Sequence, residues 1–167
     1  MNLKLQHVAM SVPSLEDSVK WYKEMLEFKE ISRMTIPHNG VNLAFIGNGN
    51  FIIELLEVPG ANPMSKERSH PDEDNATHGV KHICISVDNN REVVKKLREK
   101  GVKVVFEPEN MPSYAAFIND NSGNIIEIFD NSFTVESIWH KDCYCLLKMK
   151  SVYHYNTRRY INECSSR

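Results

Sequence analysis

From Leu3 to Val12 the chain alternates between two faces. His7 shares one with Leu5, Ala9 and Ser11, while Val8, Met10 and Val12 point the other way. A period of two predicts a strand. Pro13-Ser14 then opens a helix, with Ser14 as N-cap and Asp17 three residues on in a loose capping box. Val19, Tyr22, Met25 and Leu26 form its apolar stripe at helical spacing. Strands are predicted near 28–35, 41–46 and 51–58, with Asn39-Gly40 and Gly47-Asn48-Gly49-Asn50 as the turns between them. The same order follows in the second half. A strand is predicted near 81–87, then a helix near 90–100 that carries Val93, Val94 and Leu97 and stops at Gly101. Strands near 102–106, 114–119 and 124–130 complete it, the last two joined by Asp120-Asn121-Ser122-Gly123. Each half therefore reads βαβββ.

The halves also repeat in sequence. Gln6-His7-Val8-Ala9-Met10-Ser11-Val12 returns 75 residues later as Lys81-His82-Ile83-Cys84-Ile85-Ser86-Val87. Phe51-Ile52-Ile53-Glu54-Leu55 returns 73 residues later as Asn124-Ile125-Ile126-Glu127-Ile128. So each half carries one His near its start and one Glu near its end, 47 residues apart in the first half and 45 in the second. A period this long is a duplicated supersecondary unit rather than a solenoid repeat. The predicted organisation is a domain over 1–131, made of modules 1–58 and 80–131 joined by a long polar loop 59–79. A loop of this length inside a compact domain reads as a lid or a mobile linker. Residues 132–167 have no counterpart in the repeat. They carry six Lys/Arg against three Asp/Glu and six aromatics without a clear period. They read as an appended helix, a partly disordered tail or a reading-frame artefact.

His7, Glu54, His82 and Glu127 are each an ionisable group within an otherwise apolar strand pattern. Burying an unpaired carboxylate costs several kcal/mol. Two carboxylates at repeat-equivalent places call for a common compensation, and one divalent cation held by all four residues provides it. Two imidazoles and two carboxylates suit Ni, Co, Zn, Mn or Fe(II) without selecting among them. The other candidates are weaker. His70 and His78 read as solvated loop histidines. His140, Cys143 and Cys145 lack a fourth ligand for a soft metal. Cys84 reads as a small buried packing residue facing the same side as His82.

Composition narrows the class further. At 167 residues and 41% hydrophobic, the chain can bury one core or two small ones. A formal net charge of −2 offers no basic field for nucleic acid. No apolar run approaches the roughly 18 residues of a membrane span. MNLKLQHV has no signal-peptide stretch, and Cys84, Cys143, Cys145 and Cys164 do not form a disulfide framework. A cytoplasmic protein without nucleic-acid or membrane partners is expected.

These features resemble the vicinal oxygen chelate superfamily. It includes glyoxalase I, methylmalonyl-CoA epimerase, extradiol dioxygenases, fosfomycin-resistance enzymes and bleomycin-binding proteins. The matching residues are His7 with its V-A-M-S-V continuation, Ser18-Val19-Lys20-Trp21-Tyr22, Ile53-Glu54-Leu55, Lys81-His82-Ile83, and Asp120-Asn121-Ser122-Gly123-Asn124 before Ile126-Glu127. The resemblance covers about residues 3–131. The resemblance implies an α+β fold of two βαβββ modules forming a strand cup around a metal. A set of two His and two Glu resembles glyoxalase I. The dioxygenase and fosfomycin branches resemble each other in using two His and one Glu, the epimerase is similar with Gln or Glu at the place of Glu54, and bleomycin-binding relatives usually lack the ligands.

The implied activity is that of a metal-dependent lyase or isomerase of the glyoxalase I type. It would act on a small α-oxo compound or its thiol adduct and move a proton next to a metal-chelated carbonyl. By the same analogy Glu127 is the base, with Glu54 second. The alternatives are an epimerase of the methylmalonyl-CoA kind, an extradiol-type dioxygenase or a small-molecule binding protein without turnover. A homodimer is expected, and the sequence leaves open whether the site lies within one chain or between two. Arg33 is placed near where glyoxalase I grips glutathione; the rest of that clamp has no match.

Overall fold

The computed structural model describes residues 1–107 and 114–133. Its elements run β1 (Val8–Ser11), α1 (Leu15–Leu26), β2 (Lys29–Thr35), β3 (Asn42–Gly47) and β4 (Ile52–Glu57). A 3-10 turn (Lys66–Ser69) and the short helix α2 (Pro71–Asp74) follow. Then come β5 (Ile83–Val87), α3 (Asn90–Glu99), β6 (Val104–Phe106), β7 (Ala115–Asn119) and β8 (Ile125–Asp130). The duplicated βαβββ order stands as predicted. Each module closes its own four-stranded sheet, β1-β4-β3-β2 and β5-β8-β7-β6. In both, the first strand pairs parallel with the last, which the intervening helix makes possible as a crossover. Among the described residues no helix is long and apolar enough to cross a membrane.

The helices start and stop for local reasons. Ser14 Oγ accepts from the Asp17 amide, and Asn89 Oδ1 accepts from the Glu92 amide, so each helix has one orphan donor satisfied at its N-cap. α3 ends as predicted at Gly101, whose φ of +84° is the left-handed geometry glycine adopts without strain. α1 ends in the same way, but on Glu27 at φ +59°, where the sequence carries no stop signal.

Alternation along the strands sorts two faces. Ile53, Leu55, Ala44 and Ile46 of the first sheet, and Ala116, Ile118, Ile126 and Ile128 of the second, turn inward. With Leu15, Val19 and Tyr22 of α1 and Val94 and Leu97 of α3 they form a single buried cluster that joins the modules. Polar contacts lock the seam. Tyr22 Oη donates to Asp120 Oδ2 at 3.1 Å. Asp120 also accepts the Ser122 and Asn124 amides and the Asn124 side chain, each at 2.8 Å. Asn121 reaches Ser18 from the same turn. The predicted hairpin turn is thus also the dock for α1. Buried and facing this carboxylate, the Tyr22 hydroxyl is held well above the usual phenol range, by desolvation first and by Asp120 second.

Two expectations are corrected. The predicted first strand from Leu3 begins only at Val8, which pairs with Ile53 near the start of β4; among the described residues the earlier ones join no strand, and Leu3 and Leu5 are exposed. His7 and His82 therefore sit one residue ahead of β1 and β5. The connection between the modules is not a structureless loop. Asp74 is buried at its centre, ion-paired to Arg68 at 3.1 Å and Lys81 at 3.2 Å. Asn119 of β7 donates to the Ser69 carbonyl, pinning the segment to the second sheet. His70 is correspondingly half-buried, its Nδ1 enclosed without a partner, rather than solvated. His78 is exposed as expected. Of the extension 132–167 only Ser132 and Phe133 are described, so His140, Cys143 and Cys145 lie outside the described residues.

Candidate metal centre

Glu54 stands on β4 between Ile53 and Leu55, so its side chain takes the face opposite the core. Glu127 does the same on β8 between Ile126 and Ile128. The histidine ahead of the adjacent parallel strand reaches each one. His7 Nε2 lies 3.3 Å from Glu54 Oε2, and His82 Nε2 lies 3.0 Å from Glu127 Oε2. The histidine side chains are 35% and 32% exposed and the glutamates 18% and 16%. The two pairs are thus near copies in distance and in access to solvent. His7 Nδ1 also contacts Gln6 Oε1, a side chain replaced by Lys81 in the second module.

The pairs fit a cation. Donors bound at about 2.1 Å stand about 3.0 Å apart at right angles and about 3.4 Å apart in a tetrahedron, the range into which both pairs fall. The donor set of two imidazoles and two carboxylates is the one the sequence pointed to. The structure brings the four residues together two by two, not four at once: among the described residues no three His, Cys, Asp or Glu side chains converge within one chain. Each module presents one His/Glu pair on a sheet face.

An aromatic ring flanks each pair. Phe45 on β3 is directly opposite Glu54, and Phe117 on β7 is directly opposite Glu127. Phe45 meets the His7 ring edge to face at 5.5 Å and 81°, and Phe117 meets His82 at 5.4 Å and 78°. The strand pattern alone did not single these residues out. The signal was there: Ala44-Phe45-Ile46 returns as Ala116-Phe117-Ile118.

Two neighbours change the initial picture. Cys84, opposite Glu127, is exposed on the open edge strand β5 rather than buried. Partial burial of the thiol, then the charge and hydrogen bond of Glu127, push it up to about 12. Arg33 faces away from the cup. It pairs with Ala44, whose neighbour on β4 is the core residue Leu55, whereas Ser32 pairs with Phe45, whose neighbour on β4 is Glu54. All three guanidinium nitrogens are engaged on that side, two by Glu30 at 2.9 Å and one by Glu16 of α1 at 2.7 Å. These bonds hold Arg33 charged and draw the Glu30 carboxyl below its usual range. Arg33, placed by the sequence near a glutathione contact, thus lies on the sheet face opposite His7 and Glu54.

Two βαβββ modules, each with a matched His/Glu pair on one sheet face, define the glyoxalase-like fold class. The chain belongs to the Glyoxalase/Bleomycin resistance protein/Dioxygenase superfamily, whose model matches residues 4–128. It is similar to the mitochondrial methylmalonyl-CoA epimerase of Homo sapiens, with 33% identity over 105 residues, 62% of this chain and 57% of that protein. It therefore spans little more than half of that relative. A probable lactoylglutathione lyase of Synechocystis is 30% identical over 135 residues, 77% of this chain and 95% of that one. Among solved structures, the trypanothione-dependent glyoxalase I of Leishmania major superposes with a TM-score of 0.64 at 24% identity, covering 90% of this chain and 97% of that one. These relatives are enzymes, and they divide between two activities.

Proposed function

We propose that this protein is an enzyme that moves a proton at a carbon next to a carbonyl, using a divalent cation shared by His7, Glu54, His82 and Glu127. The observation that carries this reading is the repeat-matched pair of His/Glu contacts, each with the spacing of adjacent ligands. Because the described residues of one chain come together only in pairs, we place the complete set between two copies, the first module of one facing the second module of the other. The cation would supply Lewis-acid polarisation of the substrate carbonyl, which lowers the cost of removing the neighbouring proton. Glu127 is the residue assigned to accept and return that proton, with Glu54 second. The histidines hold position, since an imidazole committed through Nε2 has no free lone pair there for a proton.

Two substrate classes follow. Epimerisation of an acyl-CoA thioester such as methylmalonyl-CoA is favoured by the identity to the epimerases and by Arg33 lying outside the cup. Isomerisation of a thiol adduct of an α-oxo aldehyde is favoured by the two-His, two-Glu set and by the near-complete span of the Synechocystis relative. Turnover in deuterated water separates them. The epimerase reaction exchanges the C2 proton and inverts the centre, whereas the lyase reaction yields a hydroxyacyl thioester. Glu127→Gln preserves shape and should lower exchange by ~10²–10⁴-fold, the usual contribution of a base. Equal exchange in parent and variant would remove Glu127 from the role. Failure of the parent to exchange either substrate with any of Ni, Co, Zn or Mn would overturn the proposal.

A further inference from the structure

We infer that Phe45 and Phe117 are positioning residues for the two half-sites, holding each imidazole so that Nε2 meets its glutamate. This rests on the reading of His7, Glu54, His82 and Glu127 as ligands. The argument starts from register. Phe45 is the antiparallel partner of Glu54, and Ala9 is the parallel partner of the same Glu54. Phe117, Glu127 and Cys84 repeat this row in the second sheet. Residues in one cross-strand row share a face. The histidine two positions before the β1 or β5 member also shares that face, since side chains alternate with period two. Each half-site is therefore a three-residue unit in which phenyl ring and carboxylate both border the imidazole.

The geometry in the two units agrees to 0.1 Å and 3°. The surroundings do not agree: Phe45 is half-buried while Phe117 is buried, and Gln6 precedes one histidine where Lys81 precedes the other. Lys81 is committed to Asp74 and the carbonyls of Asp74 and Thr77, so it gives His82 no counterpart of the Gln6 contact. A contact kept while its neighbours differ is what a requirement of the histidine would produce. The physical role is specific. The χ2 rotation of histidine is broad, so an unflanked ring can swing its plane and carry Nε2 out of line with the carboxylate. An edge-to-face neighbour narrows that rotation and adds about 0.5–1.5 kcal/mol in aromatic pairs. A phenyl ring has no donor or acceptor, so it cannot compete with the cation for Nε2.

The test compares Phe45→Leu, Phe117→Leu and Phe45→Tyr with the parent, and Ile46→Val as a core control. Co²⁺ is titrated into metal-free protein by its visible absorption, and the His7 and His82 ring protons are followed by NMR before metal is added. The inference predicts ring-to-ring NOEs and ring-current shifts from Phe45 on His7 alone and from Phe117 on His82 alone. Each Leu variant should bind Co²⁺ about 10-fold more weakly, the size seen when residues that orient a ligand are lost. Phe45→Tyr should restore binding, and Ile46→Val should lower Tm without changing affinity. Leu variants that bind as the parent does, or whose weakening is matched by the control at equal loss of Tm, would overturn it. If the parent binds no Co²⁺, the ligand assignment fails. The NOEs and the averaging of His7 or His82 shifts in the Leu variants then still decide whether the rings are positioned.

Discussion

Tyr22 and Asp120 show how one residue pair can carry a consequence for the whole chain. Read from the sequence, Tyr22 was one member of a helical stripe and Asp120 opened a turn. The structure joins them across the module seam, a long-range pairing that no local pattern encodes. Tyr22→Phe should cost about 1.5 kcal/mol, the low end for a hydrogen bond to a charged group, because Asp120 keeps three other donors. Denaturant unfolding of the two proteins measures it. A pH dependence follows. The Tyr22 hydroxyl titrates well above its usual 10.0 when folded. Above pH 10 the unfolded chain releases this proton while the native state retains it. Its contribution to stability is therefore fully present below pH 10 and falls as pH rises further. The difference between parent and Tyr22→Phe should shrink or reverse above pH 10, and a constant difference would show that the proton is not retained. The site residues themselves were legible because they repeat. Phe45 and Phe117 also repeat, but nothing in an apolar strand distinguishes a residue that packs on an imidazole from one that fills the core.

At the scale of elements, the strand and helix order was readable because alternation, capping and glycine stops agreed with one another. Where they failed, tertiary partners decided. Among the described residues Leu3 and Leu5 join no strand despite their alternation, and the segment 59–79 held a buried Asp74 that polarity alone disguised. Asp74→Ala leaves Arg68 and Lys81 without their common partner. It should destabilise by about 2 kcal/mol, below the 3–5 kcal/mol of a fully buried pair because both cations reach solvent. Limited proteolysis should then cut within 66–81 before the rest of the chain. Resistance equal to the parent's would show that the segment is held by its other contacts. α1 offers the converse change. Glu27 occupies a left-handed position that its counterpart Gly101 fills without strain, so Glu27→Gly should raise stability by about 0.5–1 kcal/mol and Tm by a few degrees. A calorimetric scan showing a lower Tm would contradict this.

At the scale of the molecule, one buried core joins the two modules through α1, α3 and the inner sheet faces, and leaves each His/Glu pair on the other face of its own sheet. Ile31 and Met34 on β2 are also exposed large apolar side chains. The sequence pointed to the four candidate residues but not to their separation into two pairs, because periodicity tells which face a residue takes and not what that face meets. If the cation is shared between copies, the defect in one module of one chain can be repaired by the intact module of another. The most direct measurement mixes two inactive proteins. One carries His7→Ala and Glu54→Ala, the other His82→Ala and Glu127→Ala, and subunits are exchanged before Co²⁺ is added. A heterodimer holds one site with all four ligands and one with none, so an equimolar random mixture should recover about a quarter of the parent's metal sites and proton exchange, while neither protein alone binds. No recovery after verified subunit exchange would contradict a site built between two chains.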